Sequence, residues 1–178
     1  MKLTPVMNKF ILHWGEMGSK WGVNRSVAQI HALLFIVGQP LPAEEIAEHL
    51  SIARSNVSNG LKELQGWGIV RVAHTMGDRR DHFEALSDVW ETFRHILIER
   101  KRREAEPTLR MLRECTQEAA AIDKPSAEDT LAQKRLNDML EFFELAGTWG
   151  ERAGGFSPKT LKRFVQMGDA IFKLVGGG

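Results

Sequence analysis

The sequence predicts a mainly α protein with a helix-turn-helix, a small β-hairpin and several long helices. Two short helical segments lie close together at residues 43–50 and 54–67, joined by a tight turn. A stretch rich in β-branched residues and a return strand follow, connected by a polar turn that contains glycine. Beyond them, apolar side chains recur at steps of three and four, the spacing of amphipathic helices. Together these features predict a winged helix-turn-helix followed by a helical region.

Length and composition exclude several classes of protein. The 178 residues are 43% hydrophobic and 26% charged, which is ordinary for a globular protein and argues against disorder. The longest apolar run, Ala32 to Val37, is far shorter than the roughly 18–20 residues of a membrane span, and we recognise no signal peptide. The single cysteine, Cys115, excludes an internal disulfide and a zinc site with paired cysteines. We therefore expect a soluble cytoplasmic protein without membrane association.

Two helices are predicted ahead of the helix-turn-helix. The first, from Thr4 to about Lys20, carries an apolar side that we expect to face inward: Val6, Phe10, Trp14 and Met17. The second, capped by Asn24 or Ser26, is apolar nearly all round, so other elements must enclose it. Gly38 ends this helix.

Long helices are predicted after the hairpin. A helix that begins near Ser87 runs to Pro107, which should kink or split it. The helical pattern resumes, restarts at Ser126 and reaches Leu145. A loop is then expected at three glycines, ahead of a last helix with apolar residues on one side: Gly150, Gly154 and Gly155.

The helix at residues 54–67 has one polar face. At about 100° per residue, its inward positions are apolar or small: Val57, Gly60, Leu61 and Leu64. The opposite face and its flanks carry short polar or basic side chains: Arg54, Ser55, Asn56, Ser58, Asn59 and Lys62. Serine and asparagine can reach base edges without holding a helix out of the major groove. Any soluble helix also exposes a polar face to water, so the helix alone does not decide between the two interpretations.

The hairpin at residues 75–82 adds two arginines, Arg79 and Arg80, beside its turn. Such a wing suits insertion beside the minor groove or across phosphates. His74 and His82 are expected on the paired strands, facing solvent or phosphate. Helix and wing together predict binding of double-stranded DNA through Arg54, Ser55, Asn56, Ser58, Asn59, Lys62, Arg79 and Arg80.

Other kinds of site receive less support from the sequence. The six histidines are scattered without HExxH spacing, so we predict no metal site. No nucleophile motif or phosphate-binding loop supports an enzyme or a cofactor. Aromatic faces can box a quaternary ammonium ligand, although ordinary packing is the more common role of these residues: Trp14, Trp21, Trp90 and Trp149.

Residues 24–85 resemble a known family. The segments LPAEEIAEHLSIARSNVSNGLKELQGWGIV and GDRRDHFEA resemble the winged helix of the MarR superfamily, most closely its GbsR branch. NRSVAQIHALLF resembles the second helix of that branch. The resemblance implies a dimeric repressor or activator that binds pseudo-palindromic operators, with the polar helix as recognition helix and the two arginines in the wing. Some GbsR-like members respond to choline or related osmolytes, which leaves a small-molecule effector open for this chain.

Amphipathic stripes beyond the hairpin need a partner, and a second copy of the chain would supply one. We therefore assign residues 1–86 to a DNA-binding domain and residues 87–178 to a helical region for dimerisation and effector binding. The predicted function is a homodimeric repressor that reads a pseudo-palindromic operator through helix 54–67 and wing 75–82. The alternative is a winged-helix protein–protein interaction module without sequence-specific DNA binding.

Overall fold

A computed structural model describes residues 2–160, 162, 163, 165 and 167. The chain divides into two compact units, Met1–Thr92 and Phe93–Gly178. The elements of the first unit are α1 (Pro5–Lys20), α2 (Arg25–Val37), β1 (Leu41–Pro42), α3 (Ala43–Leu50), α4 (Arg54–Gly66), β2 (Val70–Ala73) and β3 (His82–Ala85). The mainly α class with a helix-turn-helix and a small hairpin wing is confirmed.

The second unit is helical. Helix α5 (Val89–Arg100) begins in the first unit and leads through a π-helical turn, Lys101–Ala105, into α6 (Glu106–Ala120). Helix α7 (Ala127–Gly155) packs against α6, and described residues between 158 and 167 are helical as well. No helix in the described part of the chain is long and apolar enough to cross a membrane.

Local capping explains where the first two helices begin and end. Thr4 Oγ1 accepts a hydrogen bond from the Met7 amide at 3.3 Å, ahead of α1. Asn24 Oδ1 accepts one from the Ser26 amide at 2.8 Å, so Asn24 is the cap of α2. Gly38, with a φ of 64°, ends α2 in the left-handed conformation that glycine adopts readily. The predicted boundaries of both helices are confirmed.

Helix α2 is the centre of the first unit, because every residue from Val27 to Leu34 is buried. Glycines let the neighbouring helices approach it closely. A Cβ added at Gly18 of α1 would lie 2.5 Å from Ala28 Cβ, and one added at Gly60 of α4 would lie 2.6 Å from Ile30 Cδ1. The close packing of α1 and α4 on α2 therefore depends on these glycines.

The apolar side predicted for α1 is only partly buried, because Phe10, Trp14 and Met17 are half-buried and the centre of the contact lies on a neighbouring side. Its buried residues are Ile11, Gly15 and Gly18, whereas Val6 is 77% exposed. Close approach through two glycines decides which side of α1 meets α2, and this places the larger apolar residues at the margin of the contact. Aromatic rings pack against one another there. The ring centroids of Phe10 and Trp14 are 5.5 Å apart, and those of Trp14 and Trp21 are 6.2 Å apart.

The helix changes its form near Pro107, as expected. A π-helical turn separates α5 from α6, and Pro107 lies in the first turn of α6, where its missing N–H leaves no helical hydrogen bond unmade. A second expectation about helix breaks is wrong. The glycine loop expected near residue 150 is absent, since α7 continues to Gly155. Glycine in a helix interior costs only about 1 kcal/mol, which neighbouring helix-forming residues can offset.

Helix α5 starts one residue later than a Ser87 cap would place it. Asp88 Oδ1 accepts hydrogen bonds from the amides of Trp90 at 2.7 Å and Glu91 at 3.1 Å. Asp88 is therefore the residue that caps α5.

The wing belongs to a three-stranded antiparallel sheet of order β1-β3-β2. Central strand β3 pairs with both neighbours, and Phe83 lies opposite Leu41 on one side and Val72 on the other. Arg71 Nε lies 2.7 Å from Glu84 Oε1 across the β2–β3 pair. The sequence did not predict β1, because a strand of two residues is too short to show alternation.

A histidine is buried inside α2. His31 stacks on Phe35 with ring centroids 6.1 Å apart, and its Nε2 has no hydrogen-bond partner within the described residues. Burial lowers the pKa of His31 from 6.5 to about 4, because an imidazolium loses its hydration there.

We expect protonation of His31 in the unfolded chain to destabilise the fold at low pH. The stabilising contribution is fully present above pH 6.5 and is lost as the pH falls towards about 4. The loss at this site should reach about 3 kcal/mol in free energy of unfolding. Denaturant titrations at about pH 7 and about pH 4.5 measure it. His31→Met should reduce the pH dependence and the exposed-site control His13→Gln should retain it, whereas equal pH dependence in wild type and His31→Met would contradict the assignment.

Candidate nucleic-acid interface

A tight turn sets the angle between α3 and α4. Ser51 has a φ of 53°, and the Ile52 amide donates to the Ala47 carbonyl at 3.2 Å. This pattern closes the C-terminus of α3 and redirects the chain within three residues. The two helices share the predicted apolar core, in which Leu50 and Ile52 are half-buried and the other members are buried: Ile46, Ala47, Val57, Leu61 and Leu64.

The outward face of α4 is exposed along its length. At about 100° per residue, Ser55, Ser58, Asn59 and Lys62 fall within one arc of about 100°, opposite the buried residues. Arg54 and Asn56 flank this arc and are exposed too. Within the part of the chain that the structure describes, none of these six side chains has a hydrogen bond or an ion pair. Their donors and acceptors are therefore available to a partner.

The N-terminus of α4 is open as well. Ala53 occupies the cap position, and no side chain accepts a hydrogen bond from the first turn. Free N–H groups at a helix N-terminus favour phosphate, and Arg54 adds a positive charge beside them.

Two residues that sequence reasoning treated only as caps lie next to this face. Asn24 and Ser26, at the start of α2, line a cavity of about 180 Å³ together with Asn56 and Asn59. Glu63 adds an acidic group to its lining. The sequence pattern around each residue could not have predicted that the start of α2 lies beside α4, because this proximity results from the packing of α4 on α2 at Gly60.

The two wing arginines differ in their surroundings. Arg79 is exposed and has no ion pair or side-chain hydrogen bond among the described residues. Arg80 binds Asp78, with Nη2 2.6 Å from Oδ2, and lies 3.8 Å from Glu45 of α3. The hydrogen bond from Arg80 lowers the pKa of Asp78 to about 2. Arg80 therefore braces the wing, whereas the charge of Arg79 is not neutralised locally.

One wing histidine departs from its prediction. His74 is exposed, but His82 is only 6% exposed, with Nδ1 2.9 Å from the Arg80 carbonyl oxygen. His82 is buried because it lies on the central strand, opposite Pro42 on one side and Ala73 on the other. The expectation that it faces solvent or phosphate is wrong.

The tryptophans do not assemble into the suggested box within the described residues. Trp14 contacts Trp21, and no ring contact joins Trp90 to either of them. The side chain of Trp149 lies outside the described part of the chain. In that part, no group of three or more histidine, cysteine or acidic side chains is arranged to hold a metal ion.

Known proteins share this architecture. A profile of the MarR family matches residues 21–81. The HTH-type transcriptional repressor GbsR of Bacillus subtilis (strain 168) is 23% identical over 155 residues, which cover 87% of this chain and 82% of that protein. The crystal structure of a transcriptional regulator superimposes with a TM-score of 0.64 at 15% identity, over 91% of this chain and 99% of that one, and supports the fold.

The family match covers the helix-turn-helix, strand β2 and the turn of the wing, and ends just before β3, whereas the similarity to GbsR extends into both units. These are the segments that present the open polar face and the arginine-bearing hairpin. Residues 21–81 therefore match the MarR family, and the chain as a whole is similar to the repressor GbsR.

Proposed function

We propose that the chain is a cytoplasmic, homodimeric transcription repressor that binds a pseudo-palindromic operator through α4 and the wing. The observation that carries the proposal is the face of α4, whose polar side chains are exposed and unpartnered among the described residues while its opposite face is buried. A helix held in this way can enter a major groove and read base edges.

Charge supports the same assignment. Arg54 and Lys62 on α4 and Arg79 on the wing form no ion pair within the described residues, so their charges can meet phosphates. GbsR of Bacillus subtilis is a transcriptional repressor, which favours repression as the outcome of binding.

An apolar stripe on α7 supports dimerisation. Its large side chains are 49–65% exposed in the single chain and fall on one side of the helix: Leu131, Met139, Phe142 and Leu145. A second copy would cover such a stripe. A dimer that reads a pseudo-palindromic operator has its two recognition helices in successive major grooves, about 34–36 Å apart. A small-molecule effector would act by changing that separation.

Selection of bound duplexes from random DNA tests the proposed function. We expect an enriched site with two inverted halves whose centres are about 10 base pairs apart, or a multiple of that spacing. A single unrepeated motif would argue against the dimer. No enrichment, together with no retention of any duplex at low salt, would favour the protein–protein interaction module instead.

Asn59 is expected to contribute to sequence readout. Asn59→Ala should reduce the preference for the selected operator over a scrambled duplex by about 1–3 kcal/mol, because an amide that contacts a base edge discriminates between bases. Competition gel shifts measure this preference, with the exposed second-unit variant Gln117→Ala as control. Equal losses on operator and scrambled DNA would show that Asn59 contacts only the backbone.

Substitutions of the two wing arginines should have different effects on the salt dependence of DNA binding. Arg79→Ala should weaken binding of all duplexes and lower the slope of log K against log salt by about 1, because a phosphate contact is lost. Arg80→Ala should change this slope less, since Asp78 already neutralises its charge. A larger slope change for Arg80→Ala than for Arg79→Ala would reverse the two roles.

A further inference from the structure

The tip of the wing is a tight turn with an apolar residue at its point. The Asp78 amide donates to the Thr75 carbonyl at 3.1 Å, which closes a turn around Met76 and Gly77. Gly77 has a φ of 86°, the left-handed conformation that the third position of a type II turn requires. Met76 therefore occupies the second position of this turn.

Met76 is more exposed than any other large hydrophobic side chain among the described residues. Its relative exposure is 102%, against 77% for Val6, the next highest value. The side chain adds nothing to the core of the subunit, and a polar residue would suit the second position of the turn equally well. Met76 is therefore open to a partner outside the subunit.

The segment behind Met76 is braced. The guanidinium of Arg80 donates three hydrogen bonds of 2.6–3.1 Å to the Asp78 carboxylate, and the Arg80 amide donates another at 3.0 Å. Arg79, beside this brace, is exposed and carries a charge that no described residue neutralises. The wing tip therefore combines a hydrogen-bonded turn, the exposed apolar side chain of Met76 and the positive charge of Arg79.

We propose that Met76 acts as an apolar wedge that enters a base step in the DNA minor groove while Arg79 lies against the adjacent backbone. Proteins that bind the minor groove insert side chains such as methionine between base pairs and kink the duplex, at the cost of unstacking one step. Methionine suits this role because its unbranched side chain adapts to irregular gaps. The inference rests on the proposed function, because it assumes that the wing meets DNA.

The wedge gives the wing a sequence preference that Arg79 alone would lack. Pyrimidine–purine steps unstack most easily, so a TA step under the wing should bind better than an AA step. This preference is a form of shape readout and needs no hydrogen bond to a base edge.

The test uses the full-length protein and the duplex recovered by selection, with a TA or an AA step under the wing and 2-aminopurine beside that step. Wild type and Met76→Leu should raise the 2-aminopurine fluorescence severalfold and prefer TA by about fivefold or more. Met76→Gln, which has similar length but a polar end, should lose both effects. It should still bind the recognition-helix half of the site.

The outcomes separate this inference from the proposed function. Equal fluorescence changes and equal step preference for wild type and Met76→Gln would overturn the wedge and leave the proposed function standing. If wild type and Met76→Gln both bind without any change in fluorescence, the wing lies along the groove and the wedge is again wrong. Failure of wild type to bind any duplex would overturn both proposals.

Discussion

The enclosure of α2 is the constraint on which the rest of the first unit depends. A helix buried from Val27 to Leu34 must be covered on several sides, and α1 and α4 cover it across glycines that allow close approach. Because Gly60 faces α2, the rotation of α4 about its own axis is fixed. Once that rotation is fixed, Ser55, Asn59 and Lys62 point away from the protein, so the polar face follows from the packing of the core.

The same enclosure has an electrostatic consequence. His31 lies inside the helix that everything else packs against, and burial lowers its pKa to about 4. A neutral imidazole is tolerated there because its ring stacks on Phe35, whereas an imidazolium would lose its hydration without gaining a partner. The polar atoms that face outward on α4 incur no such cost, since water satisfies them until a ligand replaces it. The first unit thus buries the polar group of His31, which is costly to charge, and exposes the polar side chains of α4, which water can hydrate.

Much of the fold could be predicted because its signals are local. Asn24 and Gly38 bound α2 through their own backbone and side-chain preferences, and the spacing from Val57 to Leu64 defines the two faces of α4. What failed depends on contacts between distant segments. The inner side of α1 is chosen by close approach at Gly15 and Gly18, and hydrophobic periodicity does not report such approach. The burial of His82 depends on a strand of two residues that no periodicity reveals.

That short strand also joins the helix-turn-helix to the wing. β1 leads directly into α3 and pairs with β3, so the base of the wing is joined to the start of the helix-turn-helix. The 3.8 Å approach of Arg80 to Glu45 adds a second connection between the same two elements. The β1–β3 connection is made by strand pairing, so changes in the side chains of α4 or at Met76 leave it intact. Under the proposed function, the exposed residues of α4 and the wing tip can therefore change one at a time while the scaffold stays constant.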